Sequence, residues 1–367
     1  MSGLKCKQEV LIMKKTLSLI LVLAMVFALT SCSSSGGKAP TSTTTPDADD
    51  AFVGEKIELK LNHNNASTTP TAQAIQSWAD EVYEATQGTV TITQYPSDAL
   101  GSTNSGFDLL DTGIADLQWA TCGMFSGVLN YLDTFSLPMT GMPTAVAGTN
   151  AIWDVYENGY ADKIQGDFGN ARMLIANSSA SGILGSKEMK SCAADMKGDV
   201  VRSIAGGIAN WVTACGGSPT FMGPPDIYTN LEKGVIDSYI FEWSGVESFN
   251  LAETTPYFLS MDLFRVSQFI MISNAAWDKL SLDQQEAILS VSERTGSLKF
   301  AQVMDDAEAS YIKENVDAGN CQLIEPKQEA YDEFYALAEG VWHDYVSVLD
   351  DGEEYLSTVM SAIAKNS

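Results

Sequence analysis

Histidine is nearly absent from this chain: its 367 residues include only His63 and His343. Nucleophilic triads and most metal centres are built on histidine. The sequence also lacks a GxSxG elbow, a P-loop and an HExxH helix. No two cysteines have CxxC spacing, which argues against a zinc or thioredoxin-like site. His343 lies in an acidic helical stretch and reads as a surface residue. His63 closes a predicted strand, where it either touches a ligand or caps the loop. With 47 acidic residues some carboxylate pair is inevitable, and nothing marks one out for hydrolysis. The sequence indicates no enzyme activity, cofactor or metal.

Positive charge is also scarce. Lysine and arginine total 21, the formal charge is −26, and only four residues are arginine. Such a balance disfavours nucleic acid and anionic lipid surfaces as partners. An anionic ligand would depend on a local positive spot. The acidic residues are scattered rather than blocked into tails, as expected for a solvated surface.

The one long apolar run stands near the start. Met13-Lys14-Lys15 opens a basic segment, Leu17 to Leu29 is apolar, and Leu29-Thr30-Ser31-Cys32 follows. This reads as a lipoprotein-type signal peptide over 1–31, with Cys32 the lipidated first residue of the mature chain. The run is short for a membrane span. Met13 opens a complete signal peptide by itself. Cleavage would remove four lysines and one glutamate, taking the formal charge from −26 to −29. Residues 32–52 are Ser, Gly, Thr, Pro and Asp with little that is apolar, so they read as a flexible tether. Four cysteines remain, Cys122, Cys192, Cys215 and Cys321. They are either buried thiols or one or two disulfides.

About 315 residues are left, enough for two lobes. Lys56–Leu61 alternates as a half-buried strand does. Thr71–Thr86 carries Ala74, Ile75, Trp78, Val82 and Ala85 at helical spacing, and Gly88 ends it. Val90–Tyr95 is a strand, Gly106–Thr112 a helix capped by Gly113, and Ala115–Trp119 a third strand. This alternation predicts a parallel sheet with helices on its faces and a ligand beyond the strand ends, near His63-Asn64, Pro96-Ser97 and Ala120-Thr121. The pattern returns with strands at Met173–Ala176, Val200–Ile204 and Val235–Phe241, and a helix at Ile208–Cys215. Phe264–Ile272 reads as one long strand. Ser281-Leu282-Asp283-Gln284 is a capping box opening a long helix toward Asn315. Two such halves with returning segments imply two lobes and a cleft.

Arg202 stands in the β-branched run Val200-Val201-Arg202-Ser203-Ile204, which predicts a buried strand. A buried guanidinium is costly unless an anion meets it. The anion is either internal, with Asp199 the nearest candidate, or a ligand.

Five segments in order resemble one family: GTVTITQYPSDALG (88–101), LLDTGIADLQW (109–119), LDTFSLPM (132–139), AADMKGDVVR (193–202) and CGGSPTFMGPPDIYTNLEKGVIDSYIFEW (215–243). The chain is similar to the lipid-anchored or periplasmic solute-binding proteins of TRAP transporters, the DctP family, from about Ile57 to Leu356. The resemblance implies a two-lobed, periplasmic-binding-protein-like α/β fold. Each lobe is a sheet flanked by helices, and a long helix spans both. Lobe I is expected over 53–178 plus 267–306, and lobe II over 179–266 plus 307–360. Crossings between the lobes are expected near Ala176–Ser181, Arg265–Gln268 and the middle of the helix from Ser281.

The resemblance also implies that Arg202 pairs with a ligand carboxylate. Phe241 replaces the asparagine that helps hold that carboxylate in many members, and Glu242 stands where proline is common. Sugar-acid contacts of other members fall here on Gly182, Thr103 and Thr121, so the polar grips on a sugar acid are mostly missing. Trp119, Met124, Phe241 and Trp243 would form an apolar wall, with Asn64 a polar contact from the first strand. Trp243 is equally readable as core. The expected ligand set is thus Arg202, Asn64, Trp119, Thr121, Phe241, Trp243, His63 and Met124. The expected function is capture of a small organic monocarboxylate outside the cytoplasm and delivery to TRAP permease subunits. The only membrane attachment expected is through the N-terminal lipid. A binding module feeding a sensor, or an extracellular hydrolase, are the alternatives.

Overall fold

The computed structural model describes residues 54–367. The signal peptide, Cys32 and the whole tether lie outside the described residues. The chain begins in lobe I with strand β1 (Ile57–Asn62), helix α1 (Pro70–Ala85), β2 (Val90–Tyr95), helix α2 (Gly106–Asp111) and β3 (Leu117–Thr121). Helix α1 starts where Thr69 Oγ1 accepts from Ala72 N at 3.2 Å, with proline at the first helical position. It buries Ala74, Ile75, Trp78, Ala79 and Val82 against the sheet. Each large apolar side chain so buried contributes about 1.5–3 kcal/mol. Helix α3 (Ala145–Val155) follows on the opposite face, and β4 (Ala171–Ser178) runs to the edge of the lobe.

The chain then crosses into lobe II. There it forms β5 (Gly182–Ser186), β6 (Val200–Arg202), helix α4 (Gly207–Ala214), β7 (Ser218–Thr220), helix α5 (Pro224–Glu232), β8 (Ser238–Glu242), helix α6 (Trp243–Ser248) and β9 (Tyr257–Phe264). It returns to lobe I as β10 (Ser267–Ser273) and helix α7 (Leu282–Ser290). Helix α8 (Glu293–Tyr311) leads back to β11 (Gln322–Ile324) and helix α9 (Gln328–Val346) of lobe II, and helix α10 (Gly352–Asn366) ends the chain. The lobe I sheet has the order β2-β1-β3-β10-β4, and the lobe II sheet β11-β9-β5-β8-β6-β7.

Several expectations change. The sheets are mixed, not wholly parallel: β10 runs antiparallel to both β3 and β4. The long strand over 264–272 is two strands in different sheets, broken at Arg265-Val266. The strand expected over 235–241 starts only at Ser238, because Val235 sits in a turn and is 54% exposed. The capping box at Ser281 forms, with Gln284 N donating to Ser281 Oγ at 3.2 Å. Its helix nevertheless stops before Ser292, whose hydroxyl accepts from Trp78 Nε1 at 3.1 Å. Helix α8 starts afresh with Glu293 at a φ of 47°. The segment assigned to lobe II after 307 also divides. Helix α9 packs Phe334, Ala338 and Trp342 into the lobe II core, whereas α10 places Tyr355, Val359 and Ile363 in the lobe I core beside Trp153. The four cysteines of the described chain are free thiols.

The crossings are tied to one another. Ser179 N donates to Val266 O at 2.9 Å, and Val266 N to Ser179 Oγ at 3.0 Å. Arg265 is 3% exposed and fully engaged. Its guanidinium donates to the carbonyls of Met142, Pro143 and Ser179 and to Glu308 Oε2 at 3.0 Å, with Asp305 at 3.7 Å. Asp305 also accepts from Ala145 N and Val146 N, and Glu308 from Ser181 N. One face of α8 is thereby stapled to both crossing segments and to the start of α3. Removing one member of a buried ion pair leaves the other uncompensated. Arg265→Met is therefore expected to lower unfolding stability by about 3–5 kcal/mol. Denaturant titration checks this; a loss under 1 kcal/mol would contradict it.

Candidate ligand-binding cleft

Alternation along the strands decides what faces the cleft. In lobe II, Val201 points into the core under α4 and α9. Arg202, register partner of Tyr239, points to the opposite face, which carries α5 and α6. Arg202 is 2% exposed. Its Nη1 donates to Ile240 O at 3.0 Å and its Nε to Met222 O at 3.3 Å. The guanidinium carbon stands 4.7 Å from the centre of the Phe241 ring. That ring is held from behind by α6: a Cβ on Gly245 would lie 2.3 Å from Phe241 Cε1.

No carboxylate oxygen of the described residues comes within 4.0 Å of the Arg202 nitrogens. Asp199, the internal candidate, pairs instead with Lys190 at 2.7 Å. Burial pushes the Arg202 guanidinium down to about 10, and the charge of Glu242 opposes the shift. Arg202 and Arg265 are thus buried alike, but only Arg265 finds its anions inside the protein.

Glu242 ends β8 and stands at the N-cap of α6. Its carboxyl is partly buried and has no cation within 4.0 Å, and the nearby Ser179 hydroxyl donates to Ala180 O at 2.8 Å. Burial raises the carboxyl to about 7, against the opposing pull of Ser179 and Arg202.

In lobe I, the parallel register pairs Asn62 with Gln118, so His63 and Trp119 lie one step further along. His63 is fully buried, and its Nε2 bonds Gln94 Oε1 at 2.9 Å. The oxygen accepts, so Nε2 carries the proton. Nδ1 has no partner, and burial lowers the imidazole below 6.5. Asn64 is half-buried just beyond. Trp119 is 3% exposed, packs on the α1 side of the sheet, and its indole N–H has no partner in the protein. Thr121 ends β3 opposite Gln268, and Met124 lies half-buried on the next turn.

The two sets of strand ends approach each other. A Cβ on Gly123 would lie 3.3 Å from Ile204 Cδ1, so the turn after β3 touches the loop after β6. Thr121 and Met124 flank Gly123 on the lobe I side of that contact. Trp243 belongs to the core: it is 1% exposed and packs between Phe258 and Tyr311, at 5.2 and 5.1 Å. Sequence reasoning had noted Glu242 without placing it, and it missed Ser179 and Met222. Glu242 had a signal, an acid standing where proline is common. The other two contribute through hydroxyl and backbone positions that carry no sequence pattern.

Two mixed sheets flanked by helices and joined by crossing strands make a two-lobed α/β fold. The profile of bacterial extracellular solute-binding protein family 7, DctP, matches residues 61–347, and the chain belongs to that family. A solute-binding protein of Chromohalobacter salexigens is 21% identical over 254 residues, 68% of this chain and 74% of its own. A TRAP solute-binding protein from Rhodoferax ferrireducens, solved with copurified benzoate, superposes with a TM-score of 0.77 at 23% identity, covering 85% of this chain and 98% of that one. One from Bordetella bronchiseptica, solved with (R)- and (S)-mandelate, does so with a TM-score of 0.77 at 22% identity over 84% and 99%. Among the described residues no helix is long and apolar enough to cross a membrane.

Replacing an unpaired buried charge by an apolar chain of similar length relieves its desolvation. Arg202→Met is expected to melt no lower than wild type in the absence of ligand, unlike Arg265→Met. A fall of more than a few degrees in calorimetry would mean that Arg202 serves the fold.

Proposed function

We propose that this protein captures a small organic monocarboxylate with an apolar or aromatic body and delivers it to a TRAP-type membrane permease. The observation that carries the reading is Arg202: a buried guanidinium, floored by Phe241, that lacks an internal carboxylate. A carboxylate arriving there makes charge-assisted bonds in a dry site. Phe241, Met124 and Trp119 supply apolar surface around its body. Thr121, Asn64 and His63 supply hydrogen-bonding groups from lobe I, and Trp243 backs the lobe II wall as core. Closure about the segments at Ser179 and Val266 would bury the pair further. The benzoate and mandelate bound by two structural relatives are aromatic monocarboxylates and support this class. Other relatives hold galacturonate or glucuronate, which makes sugar acids the informative competitors. Cys32 would carry the lipid, and residues 33–52 would hold the binding domain off the membrane.

A thermal-shift screen of the chain from Ala51 onward against aromatic and branched monocarboxylates, dicarboxylates, sugar acids and amino acids tests the class, since a ligand of the folded state raises the melting temperature. Monocarboxylates such as benzoate and phenylacetate are expected to give the largest shifts. Arg202→Ala should fold and weaken binding by about thirty-fold or more, ~2 kcal/mol at the least. Unchanged affinity in that variant, or shifts from sugar acids alone, would overturn the reading.

A further inference from the structure

We propose that His63 and Trp119 form a subsite that reads one hydroxyl on the ligand, so that the cleft prefers a monocarboxylate whose otherwise apolar body carries a hydroxyl away from the carboxylate. This rests on the carboxylate reading of Arg202 and on the lobe I strand ends facing the same ligand. The geometry begins at the surface of α1. Asp80 Oδ1, which can only accept, receives Gln76 Nε2 at 2.8 Å. The Gln76 oxygen therefore faces Gln94 Nε2, also at 2.8 Å. The Gln94 oxygen in turn faces His63 Nε2 at 2.9 Å. These links place the imidazole proton on Nε2 and leave Nδ1 a bare acceptor. The carbonyl of Asn65 beside the ring already accepts from Ser97 N at 3.0 Å.

Trp119 is the complement. Leu61 and Leu117 are register partners packed beneath α1. Two residues on, alternation returns His63 and Trp119 to that same face, side by side on strands about 4.8 Å apart. The ladder holds this far, since His63 N donates to Tyr95 O at 3.2 Å. His63 is 0% exposed and Trp119 3%, and neither Nδ1 nor the indole N–H has a partner among the described residues. Buried polar atoms are rarely left so. One unpaired acceptor beside one unpaired donor defines the missing group. An ammonium can donate to Nδ1 but cannot accept from the indole. A carbonyl, carboxylate or ether can accept but cannot donate. A hydroxyl does both. From Trp119 strand β3 runs on to Thr121, a step of about 6.6 Å. The turn beyond it meets Ile204, two residues past Arg202. A carboxylate held at Arg202 and a hydroxyl held at Trp119 are then separated by the body of the ligand.

Calorimetry with phenylacetate, its ring-hydroxylated isomers and their methyl ethers tests the subsite. A site built to bond a hydroxyl rejects the analogue that lacks it. At least one isomer is expected to bind about tenfold or more tighter than phenylacetate and than its own ether. Trp119→Phe deletes the N–H and keeps an aromatic ring, and it should cut that ratio to about threefold or less. The chain has two histidines, which makes its imidazole nitrogens simple to follow by NMR. The bare Nδ1 resonance of His63 should move toward that of a hydrogen-bonded acceptor with the preferred hydroxylated acid, and not with its ether. Equal affinity for parent, isomers and ethers overturns the proposal and leaves the carboxylate reading intact. A preference that survives in Trp119→Phe with an unmoved His63 signal overturns it too, by placing the hydroxyl elsewhere. If no acid of the set binds, both statements fall together.

Discussion

A guanidinium taken out of water must meet negative charge, and this chain buries two of them at points where its sheets end. Arg265 meets Glu308, Asp305 and a set of carbonyls, and in doing so it welds the crossing strands to α8. Arg202 meets two carbonyls and an aromatic face, which solvate it without neutralising it. One arginine ties both crossing segments to the helix beside them. The other leaves a buried positive charge without a carboxylate partner among the described residues.

The chain's overall acidity sharpens that division. With a formal charge of −26, negative groups are available nearly everywhere, so an unpaired buried cation is an arrangement the fold has to protect. Asp199 is held by Lys190, and the Phe241 ring lies against one face of the guanidinium. Gly245 keeps α6 close enough to hold that ring in place. An acidic surface also repels anionic solutes at a distance, so the small positive site acts only at short range.

Much of this was legible in the sequence, and the failures have physical causes. Strand β2 and helices α1 and α2 are local objects, set by alternation, capping and glycine, and they fall within a residue or so of their expected bounds. Arg202 was legible because a charge inside a β-branched run is locally anomalous. The strand at 264–272 was misread because periodicity cannot say which sheet a residue joins; Arg265, one of four arginines, was the sign of the hand-over. The break before α8 depends on Trp78 reaching Ser292 from far along the chain. Trp243 was readable as either pocket or core, and one step past the strand end the chain turns into α6 and carries the indole into the core. The placement of α10 depends on the long-range packing of Tyr355 against Tyr131 and Tyr160.

That last helix has a topological consequence. The described chain opens with β1 and closes with α10, both in lobe I, so lobe II is an excursion that lobe I begins and ends. A single nick in an exposed loop of lobe II, such as that bearing Phe221, would leave each fragment still rooted in lobe I. The lobes can therefore part only by bending several connections in concert, and no one strand acts as a free swivel.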